Sequence, residues 1–160
     1  MVAIINGKLQ SISTQPSANS TNHIVVTADL SASPWNTDAS HEVFTVTGAV
    51  RMQMWIICTE NVTSSGGNAT LQFGDEDTTD LIIGATDENA IDVGELWYDT
   101  SPTTFIDTFA NAVMDYVDSG KDIGYEIDVE ATTNGLLEFH CVWVPLNSTG
   151  LVVAGAGGTL

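Results

Sequence analysis

Two loops concentrate the side chains with the most chemical reach. "DEDTTD" sets Asp75, Glu76, Asp77 and Asp80 within six residues, and "DENAID" adds Asp87, Glu88 and Asp92. Hard carboxylate oxygens at this density suit Ca²⁺, which takes about 6–8 oxygen ligands. Asp75, Asp77 and Asp80 are the ligand candidates. The EF-hand spacing is absent, because no Gly stands at the sixth loop position and no Glu at the twelfth. The plainer reading is a pair of solvated acidic loops. No spacing singles out two carboxylates for glycoside hydrolysis.

Other catalytic patterns fail on a missing residue. "HEVFT" opens like a zinc-protease helix, but Thr45 stands where the second His is required, and the segment runs into a strand pattern. No G-x-S-x-G elbow occurs, and "GAGGTL" lacks the Lys of a phosphate loop. His140 alternates outward between Phe139 and Cys141 and reads, like His23 and His41, as a surface or interface histidine. Cys58 and Cys141 fall on the apolar phase of their strands, as two small buried thiols or as a bridge between sheets. The chain reads as non-enzymatic.

Charge narrows the partners. Of the 160 residues 21 are acidic and 3 basic, for a net charge of −18. Lys8, Arg51 and Lys121 are scattered, so counterion release from phosphates has nothing to drive it, and nucleic acid is excluded as a partner. An anionic membrane surface would repel the chain, and no run approaches the ~20 apolar residues of a bilayer span. "MVAIINGKLQSIS" shows none of the features of a secretory leader, so the four glycosylation sequons at Asn19, Asn61, Asn68 and Asn147 reflect Ser/Thr/Asn richness. The acidity fits solubility of an exposed particle, divalent-cation binding or adaptation to high salt.

The elements that must position these residues are strands. "VFTVTGAVRMQMWIICT", Val43–Thr59, alternates throughout, with Phe44, Val46, Val50, Met52, Met54, Ile56 and Cys58 on one face and Gly48 as a bend or bulge. The opposite face begins polar and ends at Trp55 and Ile57, which predicts cover by another sheet or subunit. "HIVVTADL" is a further strand, and Trp35 anchors the loop after it. The pattern predicts hairpins over Thr59–Phe73 and over Ile123–Val144, the second turning at Asn134-Gly135. Over residues 104–117 periodicity slightly favours helix, while the all-strand surroundings favour an irregular strand. "NSTGLVVAGAGGTL" predicts a tail that is loose or bound to a neighbour through Leu151, Val152 and Val153. Turn signals every 8–12 residues predict an all-β antiparallel sandwich, jelly-roll-like, of about eight strands. Its parts are an N-terminal arm with first strand and loop (1–42), the sandwich (43–147) and a Gly-rich tail (148–160).

Four fragments carry a resemblance: "FTVTG" at Phe44–Gly48, the strand end Cys58–Thr59, Trp97/Asp99/Pro102, and "F-x-C-x-W-x-P-L" at Phe139/Cys141/Trp143/Pro145/Leu146. Over roughly residues 43–147 the chain resembles small tailed-phage virion proteins of the head decoration, cement or head-fibre type. The resemblance implies a non-enzymatic virion component, assembled in the host cytoplasm. It would decorate or cement a capsid, with the major capsid protein or another virion protein as partner, and act as a homo-oligomer. Apolar strand faces beyond the needs of one small core agree with that. The alternative is a carbohydrate-binding or adhesive module on the virion surface, using Trp35, Trp55 or Trp97 as stacking platforms. A small salt-adapted hydrolase is a third reading.

Overall fold

The computed structural model describes residues 2–5, 8–11, 22–104 and 114–160, and these are built from strands. In chain order they are β1 (Val2–Ile5), β2 (Lys8–Ser11), β3 (Asn22–Asp29), β4 (Ser40–Thr47), β5 (Val50–Ser64), β6 (Thr70–Asp75), β7 (Thr78–Asp87), β8 (Glu95–Leu96), β9 (Thr103–Thr104), β10 (Met114–Asp118), β11 (Ile123–Asp128), β12 (Thr132–Pro145) and β13 (Leu151–Ala154). β1 and β2 pair with each other. A six-stranded sheet runs β3-β12-β5-β8-β9, with β10 also on β5, and a five-stranded sheet runs β13-β4-β11-β6-β7. Every pairing is antiparallel. The expected all-β sandwich is the fold observed.

The period of two determines which side chains meet. Val50, Met52, Met54, Ile56 and Cys58 of β5 are all buried, while Arg51 and Gln53 between them are exposed. Leu71 and Phe73 of β6 and Ile123, Tyr125 and Ile127 of β11 bury the facing layer. Phe139 of β12 joins the two layers. Its ring stacks on Phe73 at 5.7 Å and on Tyr125 at 5.4 Å, both on the opposite sheet.

Several expected connections are corrected by the sheet order. The ribbon read as one strand from Val43 to Thr59 divides at Gly48, and β4 and β5 lie in opposite sheets. Both sheets face one core, so apolar parity continues through the corner and hides it. Gly48 has φ +64°, and a Cβ there would lie 2.3 Å from Thr149 Oγ1 and 2.8 Å from the Thr149 carbonyl carbon. The two hairpins are likewise absent: β5 and β6 belong to different sheets, as do β11 and β12. The Asn134-Gly135 dipeptide is not a turn but lies inside β12, where the register against β5 shifts. The chain reverses earlier, at Val129 with φ 77°.

"DEDTTD" is shorter as a loop than expected, since Thr78–Asp80 already belong to β7 and the β6–β7 turn is tight. Of the stretch read as helix or strand, residues 105–113 lie outside the described residues, and Met114–Asp118 form β10. The tail is fastened to its own sheet rather than loose. β13 pairs with β4, and beyond it the Gly155 N–H donates to the Val43 carbonyl at 2.8 Å and the Glu42 N–H to the Gly158 carbonyl at 2.8 Å.

Cys58 and Cys141 are both buried and both free. They stand on adjacent strands of the six-stranded sheet, opposite Leu137 and Met54 rather than opposite each other. Burial pushes the Cys58 thiol up to about 11 and the Cys141 thiol up to about 12. The reactive thiolate is therefore scarce in the folded state. A thiol-exchange reagent at pH 8 should modify neither cysteine in the native protein and both once denaturant is added; fast labelling of the native protein would contradict this burial.

Candidate functional site

The acidic candidates divide once their partners are counted. Asp75 is buried, and its Oδ1 accepts the N–H groups of Asp77 at 3.0 Å and Thr78 at 2.8 Å, while its Oδ2 accepts the Tyr116 hydroxyl at 3.0 Å. Asp77 is exposed and paired with Lys121, whose ammonium is also 3.8 Å from Asp75. Asp80 is exposed on β7. Asp75 therefore closes a turn and, with Asp77, pairs a lysine, while Asp80 stands apart on β7. Among the described residues no three His, Cys, Asp or Glu side chains converge to hold a metal ion.

The histidines also separate. His41 is buried rather than at the surface. Its Nε2 donates to the Thr37 carbonyl at 2.9 Å, and its ring packs 5.0 Å from Tyr125. His23 and His140 stay on the outer face of the six-stranded sheet, as their strand phase requires. There they stack with Trp55: the Trp55 ring lies 5.1 Å from His140 and 5.7 Å from His23, and the two imidazoles lie 5.5 Å apart.

That outer face is the candidate site, and strand register assembles it. Across β3, β12 and β5, Val25 stands opposite His140, which stands opposite Trp55. The row on one side is His23, Val142 and Gln53, and the row on the other is Thr27, Glu138 and Ile57. Beyond these, Val144 faces Arg51. Val25 is 43% exposed and Val144 54%, while Trp55, Ile57 and Val142 are half-buried. In a chain with 21 acidic residues, these three rows carry one carboxylate, Glu138. Apolar, aromatic and charge-poor surface is the composition of an interface centre.

The remaining expected contact residues lie elsewhere. Leu151 and Val153 of β13 are 46% and 42% exposed, but Val152 between them is buried, because alternation turns it inward. β13 is an edge strand and lies beside β3, the edge of the other sheet. Trp35 is half-buried and stacks on Tyr125 at 6.2 Å; a Cβ at Gly157 would lie 2.9 Å from its ring, so the tail covers it. Trp97 is fully buried and its indole N–H donates to Thr86 Oγ1 at 3.0 Å, which removes it as a sugar platform. Val25 and Val144 were not singled out from the sequence. Their outward parity in "HIVVTADL" and "FHCVWVPL" was the available signal.

Burial is the main cause holding His140 below the ordinary histidine value, against an opposing contact with Glu138. A depressed folded-state value means folding disfavours the imidazolium. The contribution is present above about pH 6.5 and is lost as pH falls through the lower folded value. Stability should therefore decline on acidification through that window, and His140→Phe should flatten the decline; an unchanged profile in the variant would contradict the assignment.

No family model matches this chain, and no curated protein matches it. Among solved structures, a chain from the acidic stable capsid structure of Helicobacter pylori bacteriophage KHP30 is similar at 12% identity and a TM-score of 0.47, covering 82% of this chain and 92% of that one.

Proposed function

We propose that this protein is a non-enzymatic virion structural protein that decorates or cements a phage capsid through subunit contacts. The observation that carries the proposal is the patch on the outer face of β3, β12 and β5 around Val25, Trp55, Val142 and Val144, whose three central rows hold one carboxylate, Glu138. An isolated acidic monomer has no use for such a face, whereas a subunit packed against a shell or against its own copies covers it. The sequence resemblance to phage head proteins over residues 43–147 supports the same reading. Leu151 and Val153 add a second apolar strip on an edge strand, where backbone groups are open to pairing.

The test is co-sedimentation of the purified protein with capsid shells lacking it, with the oligomeric state measured by light scattering. Wild-type protein should pellet with shells. A Val25→Glu/Val144→Glu double variant should stay in the supernatant while keeping its thermal transition, because both positions are exposed. A wild-type protein that remains monomeric and ignores shells would overturn the proposal. A carbohydrate-binding reading rests on Trp55 alone of the three candidate platforms, and that ring is already stacked with two imidazoles.

A further inference from the structure

One pair of carboxylates meets across a single hydroxyl. Ser64 ends β5, Glu88 opens the short 3-10 turn Glu88–Ala90, and Glu130 lies in the link from β11 to β12. The fold brings all three together. Ser64 Oγ is 2.8 Å from Glu88 Oε1 and 3.0 Å from Glu130 Oε2. The same oxygen accepts the N–H groups of Gly67 at 3.0 Å and Asn68 at 3.3 Å. A hydroxyl has one proton and two lone pairs. Its lone pairs face these backbone N–H groups, of which that of Asn68 also serves Glu130, so the one proton serves a single carboxylate at a time.

Glu88 makes this costly. It is 1% exposed, and its Oε2 makes no hydrogen bond among the described residues. A buried carboxylate oxygen without a partner calls for a proton, a water or an ion. The other oxygen of Glu130 is held by the Ser65 hydroxyl and by the Gly66 N–H at 2.7 Å, so Glu130 is fixed in place as an anion. Neighbouring Asp87 is turned away onto Asn89 at 2.8 and 2.9 Å. Two of the chain's three basic residues are placed elsewhere: Lys121 is committed to Asp75 and Asp77, and Arg51 lies near the start of the strand that Ser64 ends, about 40 Å along it.

We propose that Glu88, Glu130 and Ser64 form a binding site for a hard divalent cation, Ca²⁺ in preference to Mg²⁺. Both oxygens of Glu88 and Oε2 of Glu130 are the protein ligands, water completes the shell, and the Ser64 proton goes to Glu130. A bidentate carboxylate and an irregular shell suit Ca²⁺, whereas Mg²⁺ demands near-octahedral geometry and keeps its waters. The ion would tie the end of β5 to two connections that run between the sheets.

Thermal unfolding of the full chain with EDTA, CaCl₂, MgCl₂ or NaCl at matched ionic strength tests this. With two carboxylate ligands the affinity belongs to the about 10⁻⁴–10⁻³ M class. About 10 mM CaCl₂ should then raise the Tm by about 3–10 °C over NaCl. Glu88→Gln and Glu130→Gln should each abolish that increment, and Asp77→Asn and Asp80→Asn should retain it. Calorimetric titration of wild type with CaCl₂ should show one site that both Gln variants lack. Equal stabilisation by NaCl or MgCl₂, or an increment that survives in both Gln variants, would overturn the proposal. So would a wild type indifferent to Ca²⁺ whose Glu88→Gln variant is more stable in EDTA, since the pair would then be resolved by a shared proton. None of these readouts depends on shell binding, so the site and the proposed function fail separately.

Discussion

Phe139→Ala should lower the unfolding free energy by about 3–5 kcal/mol, read as a shift in the urea midpoint. Phe139 is fully buried, and its ring fills the contact between the two sheets, against Phe73 of β6 and Tyr125 of β11. Truncation removes the transfer free energy of the ring and leaves a cavity between two aromatic neighbours. Both neighbours are held by their own strands, and Tyr125 is further fixed by its hydroxyl donating to the Trp35 carbonyl at 2.6 Å. Neither can fold inward to fill the space, so the cost should sit at the upper end of the range. Val144→Ala, at an exposed position on the same strand, should change stability by less than about 0.5 kcal/mol. A Phe139→Ala loss under about 1.5 kcal/mol would mean that the sheets do not meet through this ring.

Gly48→Val should lose about 3–5 kcal/mol through strain added to collision. Gly48 occupies the corner where β4 leaves one sheet and β5 enters the other, with φ +64°. A β-branched residue avoids that backbone region. Its Cβ would also meet Thr149 Oγ1, the Thr149 carbonyl carbon and Asn147 Oδ1, all under 3.0 Å away. Gly94 separates the two causes: it has φ +84° but nothing within 4 Å of a Cβ. Gly94→Ala should therefore show the backbone penalty alone, about 1 kcal/mol. Equal losses at the two positions would assign the whole effect to φ and remove the steric role of the 147–149 turn.

Much of the architecture was legible because burial follows a period of two. The inward set Val50 to Cys58 is the set alternation picks out, and so is the set Ile123, Tyr125, Ile127. What alternation does not encode is which sheet a strand joins. A residue facing the core looks the same from either side, so β4 and β5 read as one ribbon, and β11 and β12 read as a hairpin. Asn134-Gly135 strengthened that misreading, since a bulge and a tight turn both use glycine's freedom. The candidate site was half legible. Trp55 and Ile57 follow from parity, but their neighbours Val25 and His140 come from strands about 30 and 85 residues away in sequence, and only register unites them. The acidic loops drew attention to Asp75, Asp77 and Asp80; the structure engages Asp75 and Asp77 with backbone, Tyr116 and Lys121 and leaves Asp80 exposed on β7. Glu88 and Glu130 meet only after the two sheets close.

The alternation of successive strands between sheets has a consequence for biosynthesis. β12, the central neighbour of both β3 and β5, is synthesised after nearly everything it holds. Apart from β1–β2, β6–β7 and β8–β9, the pairings wait on partners far along the chain. A nascent polypeptide halted near residue 120 would lack every ladder of β11, β12 and β13, half of the ten among the described residues, and would leave its oily layers bare. Folding should thus be slow, post-translational and all-or-none, and the emerging chain should depend on chaperone shelter until its final quarter leaves the ribosome.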